Sequence, residues 1–465
     1  MVIAILTTDN RQVFRDYRNP TPYFGTAPQG LLSGFACMAE GHELRNGKCE
    51  MGKTSAGALC AKGSGRMFGA GRTTGAKRSD AEGPKPRHSP PLEIHVLSCT
   101  QQRMQSPEKL AENIWFHSLH VPKWGWLRTG YLGCILAVRK RLREIQPDLV
   151  HAQGTERDCA ISAIFTPYPK LLTIHGNLRL IRKTVKLHPF LLLQSFLEGF
   201  VVPRFDGVIC ITNYTKKAVE HEAKRTWVVP NAVDPAFLEL GAKRGVVESR
   251  QQIENGKPTP TSGPRPPTSD LPTPISNLPS SPPLPVVLVV GTVDARKNQN
   301  VFIRALDSFV RELPFLLKFF GRCGDDEYGK EFLSLIAERP WCHYGGMIGR
   351  EELREEFASA AILALPSHED NCPMVVLEAQ AAGIAVMASN VGGVPDLIKD
   401  GVTGLLTDPN RPETMCHAVS RLVGDKVLSE TLIRNGRLQA VQRFHPRVVA
   451  ADHLHIYREV SISKQ

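Results

Sequence analysis

Two stretches of this sequence carry residue types whose spacing suits chemistry on a phosphate. The first, Gly47-Lys48-Cys49-Glu50-Met51-Gly52-Lys53-Thr54, has the Gly, four residues, Gly-Lys-Thr spacing of a loop that rings a nucleotide phosphate with backbone N–H groups. That chemistry needs a strand ahead of the loop and a helix starting at its Lys-Thr. Upstream, "MAEGHELRN" has no β-branched or aromatic run. Downstream, "SAGALCAKGSGRMFGAGRTTGAKRSD" repeats Gly every few residues, each costing a helix about 1 kcal/mol. No apolar strand ending in Asp follows to hold magnesium, and the match reads as accidental. The second stretch is "ILALPSHEDNCPMVVLEAQAAG". "ILAL" reads as a buried strand ended by Pro366 and Ser367, "HEDNCP" as a polar loop, and "MVVLEAQAAG" as a helix stopped by Gly383. Ligands of open α/β sheets bind at the carboxyl ends of strands, where a new helix also offers free N–H groups to an anion. Seven residues separate Asp370 from Glu378, so Glu378 can project into the cleft that Glu369 and Asp370 rim. Glu378 lies between apolar residues, where a lone acid needs a partner; the bland alternative is a solvated helix position.

The elements that must position these residues are legible as a rhythm. Apolar runs with little alternation, "VIAIL", "LEIHVLSC", "DLVHAQ", "KLLTIHG", "DGVICIT" and "TWVVPN", alternate with helical patterns such as "YLGCILAVRKRLREI". The rhythm resumes with "PVVLVVGT", "LLKFFG", "HYGGM", "ILALPS", "IAVMAS" and "GLLT", between patterns such as "QNVFIRALDSFVREL" and "REELREEFASAA". Runs of that kind suit strands buried on both faces, and their alternation with helices predicts α/β architecture: two Rossmann-like, doubly wound domains facing a cleft. Two segments interrupt it. Residues 43–91 are Gly-rich and fall between a first helix, "GLLSGFACMAEGHE", and the second strand. Residues 241–285 hold 11 of the 35 prolines and predict an extended, disordered linker. The expected division is 1–228, a crossover and linker 229–285, a second domain 286–444, and a final helix 445–465 returning to the first.

Charge and cysteine content narrow the function classes. The net charge is +11, but residues 43–92 hold ten Lys or Arg against four Asp or Glu, so about half the excess sits in one insert. With no helix-turn-helix, zinc-finger or aromatic-basic pattern, a nucleic-acid partner is not expected. The 11 cysteines contain no Cys-x-x-Cys, the start "MVIAILTTDNRQ" turns polar too soon for a signal peptide, and no apolar run spans a membrane. Free thiols in a cytoplasmic setting are expected. Cys49, Cys60 and His88 match no metal-ligand spacing. Arg179, Arg182, Lys183 and Lys186 share one helical face and Leu178, Ile181 and Val185 can share another, which suits either a solvated face or contact with the inner surface of an anionic membrane.

The stretch from "LALPSHEDNCPMVVLEAQAAG" through "VGGVPDLIKDGVTGLL" resembles the nucleotide-sugar site of GT-B glycosyltransferases, specifically the retaining enzymes of family 4. "VVPNAVDPAF" resembles that family's crossing into the second domain, with Ala232 where Gly is usual, and "VVLVVGTVDARKNQNVFIRAL" its basic loop, with Gly291-Thr292 where Gly-Arg is common. The resemblance covers nearly the whole chain outside the two inserts. It implies a nucleoside-diphosphate sugar as donor substrate, a glycan or lipid-linked acceptor, and no metal or other cofactor. Glu378 would hold the ribose hydroxyls; Arg296 and Lys297 would neutralise the diphosphate, with Gly291 before them. Asp370 and Glu369, with backbone N–H groups around Asn371 to Met374, would hold the donor sugar, and His175 would contact it near the reacting carbon. Gly25 would let backbone approach the diphosphate. Arg296-Lys297 as an exposed turn and His175 as a core histidine are the bland alternatives. An epimerase or hydrolase on the same fold would need an acid/base pair that the sequence does not offer, and an inactive binding module is the other alternative. A protein lacking residues 43–91 is expected to keep its melting temperature and its stabilisation by a sugar nucleotide; collapse of that variant in a thermal melt would overturn the reading of the segment as an insert.

Overall fold

The structure, a computed structural model, describes residues 1–39, 92–155, 157–176, 189–255 and 284–462. The Lys53 loop, the insert 43–91 with Cys49, Cys60 and His88, the Arg179–Lys186 segment and the proline-rich residues 256–283 lie outside them.

The first half builds one sheet from β1 (Val2–Leu6), β2 (Glu93–Thr100), β3 (Lys109–Ala111), β4 (Ile114–His120), β5 (Leu149–Gln153), β6 (Lys170–Ile174), β7 (Gly207–Cys210) and β8 (Thr226–Val228). Their spatial order is β3-β4-β2-β1-β5-β6-β7-β8, parallel except for the β3–β4 pair. The register Ile3↔Ile94 and Ile5↔Val96 puts one set of apolar side chains on one face, and Ala4, Leu6 and Leu97 on the other. The helices of this half are α1 (Asn10–Phe14), α2 (Thr26–Ala39), α3 (Leu132–Ile145), α4 (Asp158–Ile164), α5 (Pro189–Val201) and α6 (Asn213–Val219).

The second half repeats the plan with β9 (Val286–Val290), β10 (Leu316–Phe320), β11 (Cys342–Tyr344), β12 (Ile362–Leu365), β13 (Ala385–Ser389) and β14 (Leu405–Thr407). All are parallel, in the order β11-β10-β9-β12-β13-β14, the doubly wound arrangement whose order reverses between β9 and β12. Its helices are α7 (Pro235–Asn255), α8 (Gln299–Leu306), α9 (Glu327–Ala337), α10 (Arg350–Ser359), α11 (Met374–Ala382), α12 (Pro412–Gly424), α13 (Lys426–Gln439) and α14 (Pro446–Ile462).

The chain crosses between halves twice. At the first crossing, Val229 is still tied to β7 and Val233 N–H already donates to Phe444 O, 2.9 Å. Phe444 closes the second crossing, a single π-helical turn (Ala440–Phe444) after which α14 packs against α2. The contact with α2 is close: a Cβ added at Gly34 would lie 2.1 Å from Pro446 O, and one at Gly30 would lie 2.6 Å from Ala232 O. Ala232, the place where the family has Gly, keeps its methyl because Gly30 gives way opposite.

Two sequence expectations need correcting, and one hairpin lies outside the sequence expectations. The extended linker does not begin at 241: α7 runs to Asn255, since every proline of that stretch lies at 258 or beyond. Gly241 packs onto α11, where a Cβ would meet Ala381 O at 2.1 Å, and Arg244 donates to the carbonyls of Phe357 and Ala360 at the end of α10. The β3–β4 hairpin was not anticipated, although Glu112-Asn113 between "KLA" and "IWFHSLH" is its turn. The helix expected over "QNVFIRALDSFVREL" stops at Leu306, and Phe309–Arg311 continue as one 3-10 turn. Gly34→Ala is expected to cost about 1–3 kcal/mol, because the added methyl overpacks the α2–α14 contact. Urea unfolding of that variant checks the figure; unchanged stability would mean the two helices are not held this closely.

Candidate functional site

Strand β9 leads into Gly291, whose φ of 151° only glycine adopts easily; a Cβ there would lie 3.7 Å from the Lys297 stem, an ordinary contact. The chain then makes one 3-10 turn (Ala295–Lys297), capped by Asp294, whose carboxylate accepts the Lys297 N–H at 3.0 Å. Both cations lie on that turn. Across the switch point, β12 leads into the loop 366–373 and then α11. His368 N–H donates to Arg296 O at 2.7 Å, so the two loops are joined by backbone as well as by charge.

The charges interlock. Lys297 Nζ meets Asp370 Oδ2 at 2.5 Å, with both side chains mostly buried. Arg296 donates to Glu369 O at 3.2 Å and lies 3.6 Å from the Glu369 carboxylate and 4.0 Å from that of Asp294. Burial pushes the Glu369 carboxyl above its usual range, and Arg296 pulls the other way. The backbone of this acidic loop is fixed from behind by "VGGVPD". A Cβ at Gly392 would lie 2.0 Å from Asp370 O, and one at Gly393 would lie 2.1 Å from Asn371 O; Gly393 N–H donates to Asp370 O at 3.0 Å.

Glu378 lies on α11 and is 3% exposed. Arg350 Nη2 approaches it to 3.9 Å but is committed to Asp234, at 2.7 Å. Burial pushes the Glu378 carboxyl up to about 7, Arg350 lowering and Asp234 raising it. A carboxyl so placed is half-neutral near pH 7, with Arg350 no nearer than 3.9 Å.

The first half contributes through Asn371. Its side-chain oxygen accepts from Thr212 (2.5 Å) and Thr215 (2.8 Å), and its amide donates to His175 O at 2.9 Å. His175 therefore sits at the cleft, at the carboxyl end of β6. Its Nε2 carries the proton donated to Gln153 Oε1, 2.7 Å away, and its Nδ1 is buried, with the Asn231 side chain beside the ring. Burial, with His453 nearby, lowers its pKa to about 4, so the ring is neutral.

Of the residues singled out from sequence, the structure brings together Gly291, Arg296, Lys297, Glu369, Asp370 and Asn371, with His175 joined through Asn371 and Glu378 following on α11. Met374 opens α11, half-buried, with its N–H in the first turn. Gly25 stands at the start of α2, where its carbonyl accepts the Gln29 N–H; a Cβ there would meet only Pro28 at 3.7 Å, so the protein itself leaves space for one. Sequence reasoning missed Thr212, Thr215, Gln153, Asp234 and Arg350, whose partners are remote in the chain. Gly392 and Gly393 were visible as a glycine pair without a reason. His151 is a core residue, bonded to Tyr457 Oη and Thr173 Oγ1, both at 2.7 Å. Among the described residues, one cluster gathers three metal-type ligands, Cys99, Cys134 and Asp158. A hydrogen bond with Cys134 and burial push the Cys99 thiol well up, and burial pushes the Asp158 carboxyl up, both toward the neutral form. Among the same residues no helix is long and apolar enough to cross a membrane.

Two family models match this chain: Glycosyltransferase Family 4 over residues 91–237, and Glycosyl transferases group 1 over residues 276–439. The chain is 24% identical to an uncharacterised glycosyltransferase of Methanocaldococcus jannaschii, over 37% of this chain and 44% of the relative, less than half its length. It is 26% identical to an alpha-maltose-1-phosphate synthase of Mycobacterium tuberculosis, over 64% of this chain and 75% of that one. In three dimensions it is similar to sucrose-phosphate synthase from Thermosynechococcus elongatus, with a TM-score of 0.65, 17% identity and 100% of both chains covered. It is also similar to HepE of Anabaena in complex with UDP and glucose, with a TM-score of 0.60, 15% identity, and 99% of this chain and 100% of that one covered. The chain belongs to the GT-B glycosyltransferases of the family 4 type.

The Glu378 carboxyl has a measurable consequence. Its folded pKa, about 7, lies above the ordinary 4.5, so the stabilisation it gives is fully present below about pH 4.5 and is lost as pH rises through about 7. Glu378→Gln should remove that loss, which amounts to at most about 3 kcal/mol. Urea unfolding of both proteins at about pH 5 and about pH 8 tests it; equal pH slopes would refute the assignment.

Proposed function

We propose that the protein transfers a sugar from a nucleoside-diphosphate sugar to an acceptor hydroxyl with retention of anomeric configuration. The observation that carries this reading is Glu378, a buried carboxyl whose nearest cation is engaged elsewhere, on the helix that follows the Lys297–Asp370 pair. A carboxylate accepts from two neighbouring hydroxyls at once, which suits a ribose. HepE of Anabaena has been solved in complex with UDP and with UDP-glucose, and that supports a sugar-nucleotide donor here.

Each residue has a step in this reading. Arg296 and Lys297 exchange part of their contact with Glu369 and Asp370 for the diphosphate. As the C1–O bond to phosphate lengthens, charge grows on the leaving group, and fixed cations then stabilise the transition state more than the ground state. These two side chains neutralise that charge on the diphosphate without a metal. Asp370 and Glu369, released from their cations, accept from hydroxyls of the sugar, and the first-turn N–H groups near Met374 face its polar groups. His175, neutral, orients the sugar through its ring without acting as an acid. The acceptor oxygen bonds to C1 on the face the diphosphate leaves, and its proton passes to the departing phosphate oxygen, so sugar, proton and charge balance without a protein base. A glycan or lipid-linked acceptor is the class that the family implies.

Thermal stabilisation by UDP-, GDP- and ADP-sugars tests the proposal. At about 100 times its dissociation constant, the donor should add about 2.7 kcal/mol to the native protein and nothing to Glu378→Ala or Lys297→Ala. Stabilisation of the native protein by none of the three would sink the reading. If only magnesium-ATP stabilises, and Lys53→Ala abolishes the effect, the 47–54 loop is the phosphate site instead.

A further inference from the structure

Helix α3 carries a surface that the donor site does not use. Cys134, Ile135, Val138 and Leu142 face the core. On the other side, Leu132, Leu136, Arg139, Lys140 and Arg143 fall within about 100° of arc at helical spacing. Leu132 is 51% and Leu136 57% exposed. The chain reaches α3 through two 3-10 turns (Lys123–Gly125 and Leu127–Thr129). A Cβ at Gly133 would lie 2.8 Å from Gly125 Cα, so the first of these turns, which carries Trp124, packs against the start of the helix, which carries Leu132. Trp124 is 70% exposed, and Lys123 and Arg128 are exposed with it. Among the described residues, none of Lys123, Arg128, Arg139, Lys140 and Arg143 forms an ion pair, whereas the neighbouring acid, Glu144, is taken by Arg141 at 2.6 Å.

We propose that this face docks on an anionic lipid bilayer, with Trp124, Leu132 and Leu136 in the headgroup–acyl boundary and the five cations on lipid phosphates. Charge of a single sign, unpaired and set around a tryptophan and two leucines, is what such an interface attracts. The leucines would gain nothing against a nucleic-acid backbone, which leaves the lipid as the occupant that uses both parts of the face. The docking is independent of the donor reading and is measured without nucleotide.

The test is co-sedimentation of the full-length protein with vesicles of phosphatidylcholine alone and of phosphatidylcholine with phosphatidylglycerol, at low and high salt. Binding is expected only with the anionic lipid, and to weaken with salt. The triple variant Arg139→Gln, Lys140→Gln, Arg143→Gln should lose about a hundredfold in partition coefficient. Trp124→Ser with Leu136→Ser should lose binding while circular dichroism and melting temperature stay native. Lys426→Gln with Val427→Ser, exposed positions of the second half, should change nothing. Equal sedimentation with neutral vesicles, or full binding by the variants, would overturn the proposal. So would lipid-free self-association abolished by Leu136→Ser, which would give the face to a second copy of the chain.

Discussion

One side-chain amide holds the two halves in register at the cleft. Asn371 accepts two hydroxyl donors from the start of α6 and donates to the carbonyl that ends β6, so both ends of the amide are spent on the first half. Its backbone meanwhile belongs to the acidic loop of the second half, pressed by Gly392 and Gly393. Position and polarity are therefore coupled. Moving the halves apart leaves two threonine hydroxyls and a carbonyl to find water, and tilting the loop drives a glycine Cα into a carbonyl. Asn213 adds to the same seam, donating through N–H and Nδ2 to Asp396 at 2.6 and 3.0 Å.

The charges around that seam are arranged for exchange. Arg296 and Lys297 face three carboxylates, those of Asp294, Glu369 and Asp370, so the cations are held in place without being free. In the proposed reaction a diphosphate would displace carboxylate oxygens and so trade one anion for another, leaving the acids for hydroxyls of the sugar. Glu378 stands apart because burial dominates it and Arg350, the cation beside it among the described residues, serves Asp234. Local rules of burial and pairing are broken at this one helix position, which is where function is expected to draw on the stability of the rest.

The alternation of unbroken apolar runs with helical patterns was enough to read two doubly wound sheets, because parallel strands buried on both faces leave that signature. Glu378 was legible for the same reason: a charge inside "MVVLEAQAAG" stands out against its surround. The loop residues were legible mainly through resemblance. What escaped was long-range. The role of Asn371 depends on Thr212 and Thr215, 159 and 156 residues earlier, and no local pattern announces them. Arg350 and Asp234 likewise form a pair across 116 residues beside Glu378. The short β3–β4 hairpin was lost because three residues of β3 carry too little periodicity to register.

The two chain crossings have a mechanical consequence. A single linker would let the second half swivel and twist freely on the first. Here residues 229–234 and the π turn at Ala440–Phe444 run side by side, joined by the Val233–Phe444 hydrogen bond, and α14 is clamped to α2 through Gly34. Two strands of chain pinned at neighbouring points define an axis. Sliding and twist must break the Gly34 contact or the Val233–Phe444 hydrogen bond, and rotation about the axis must break the bonds of Asn371 and Asn213 across the seam. The crossings and the seam thus brace the two halves from opposite ends.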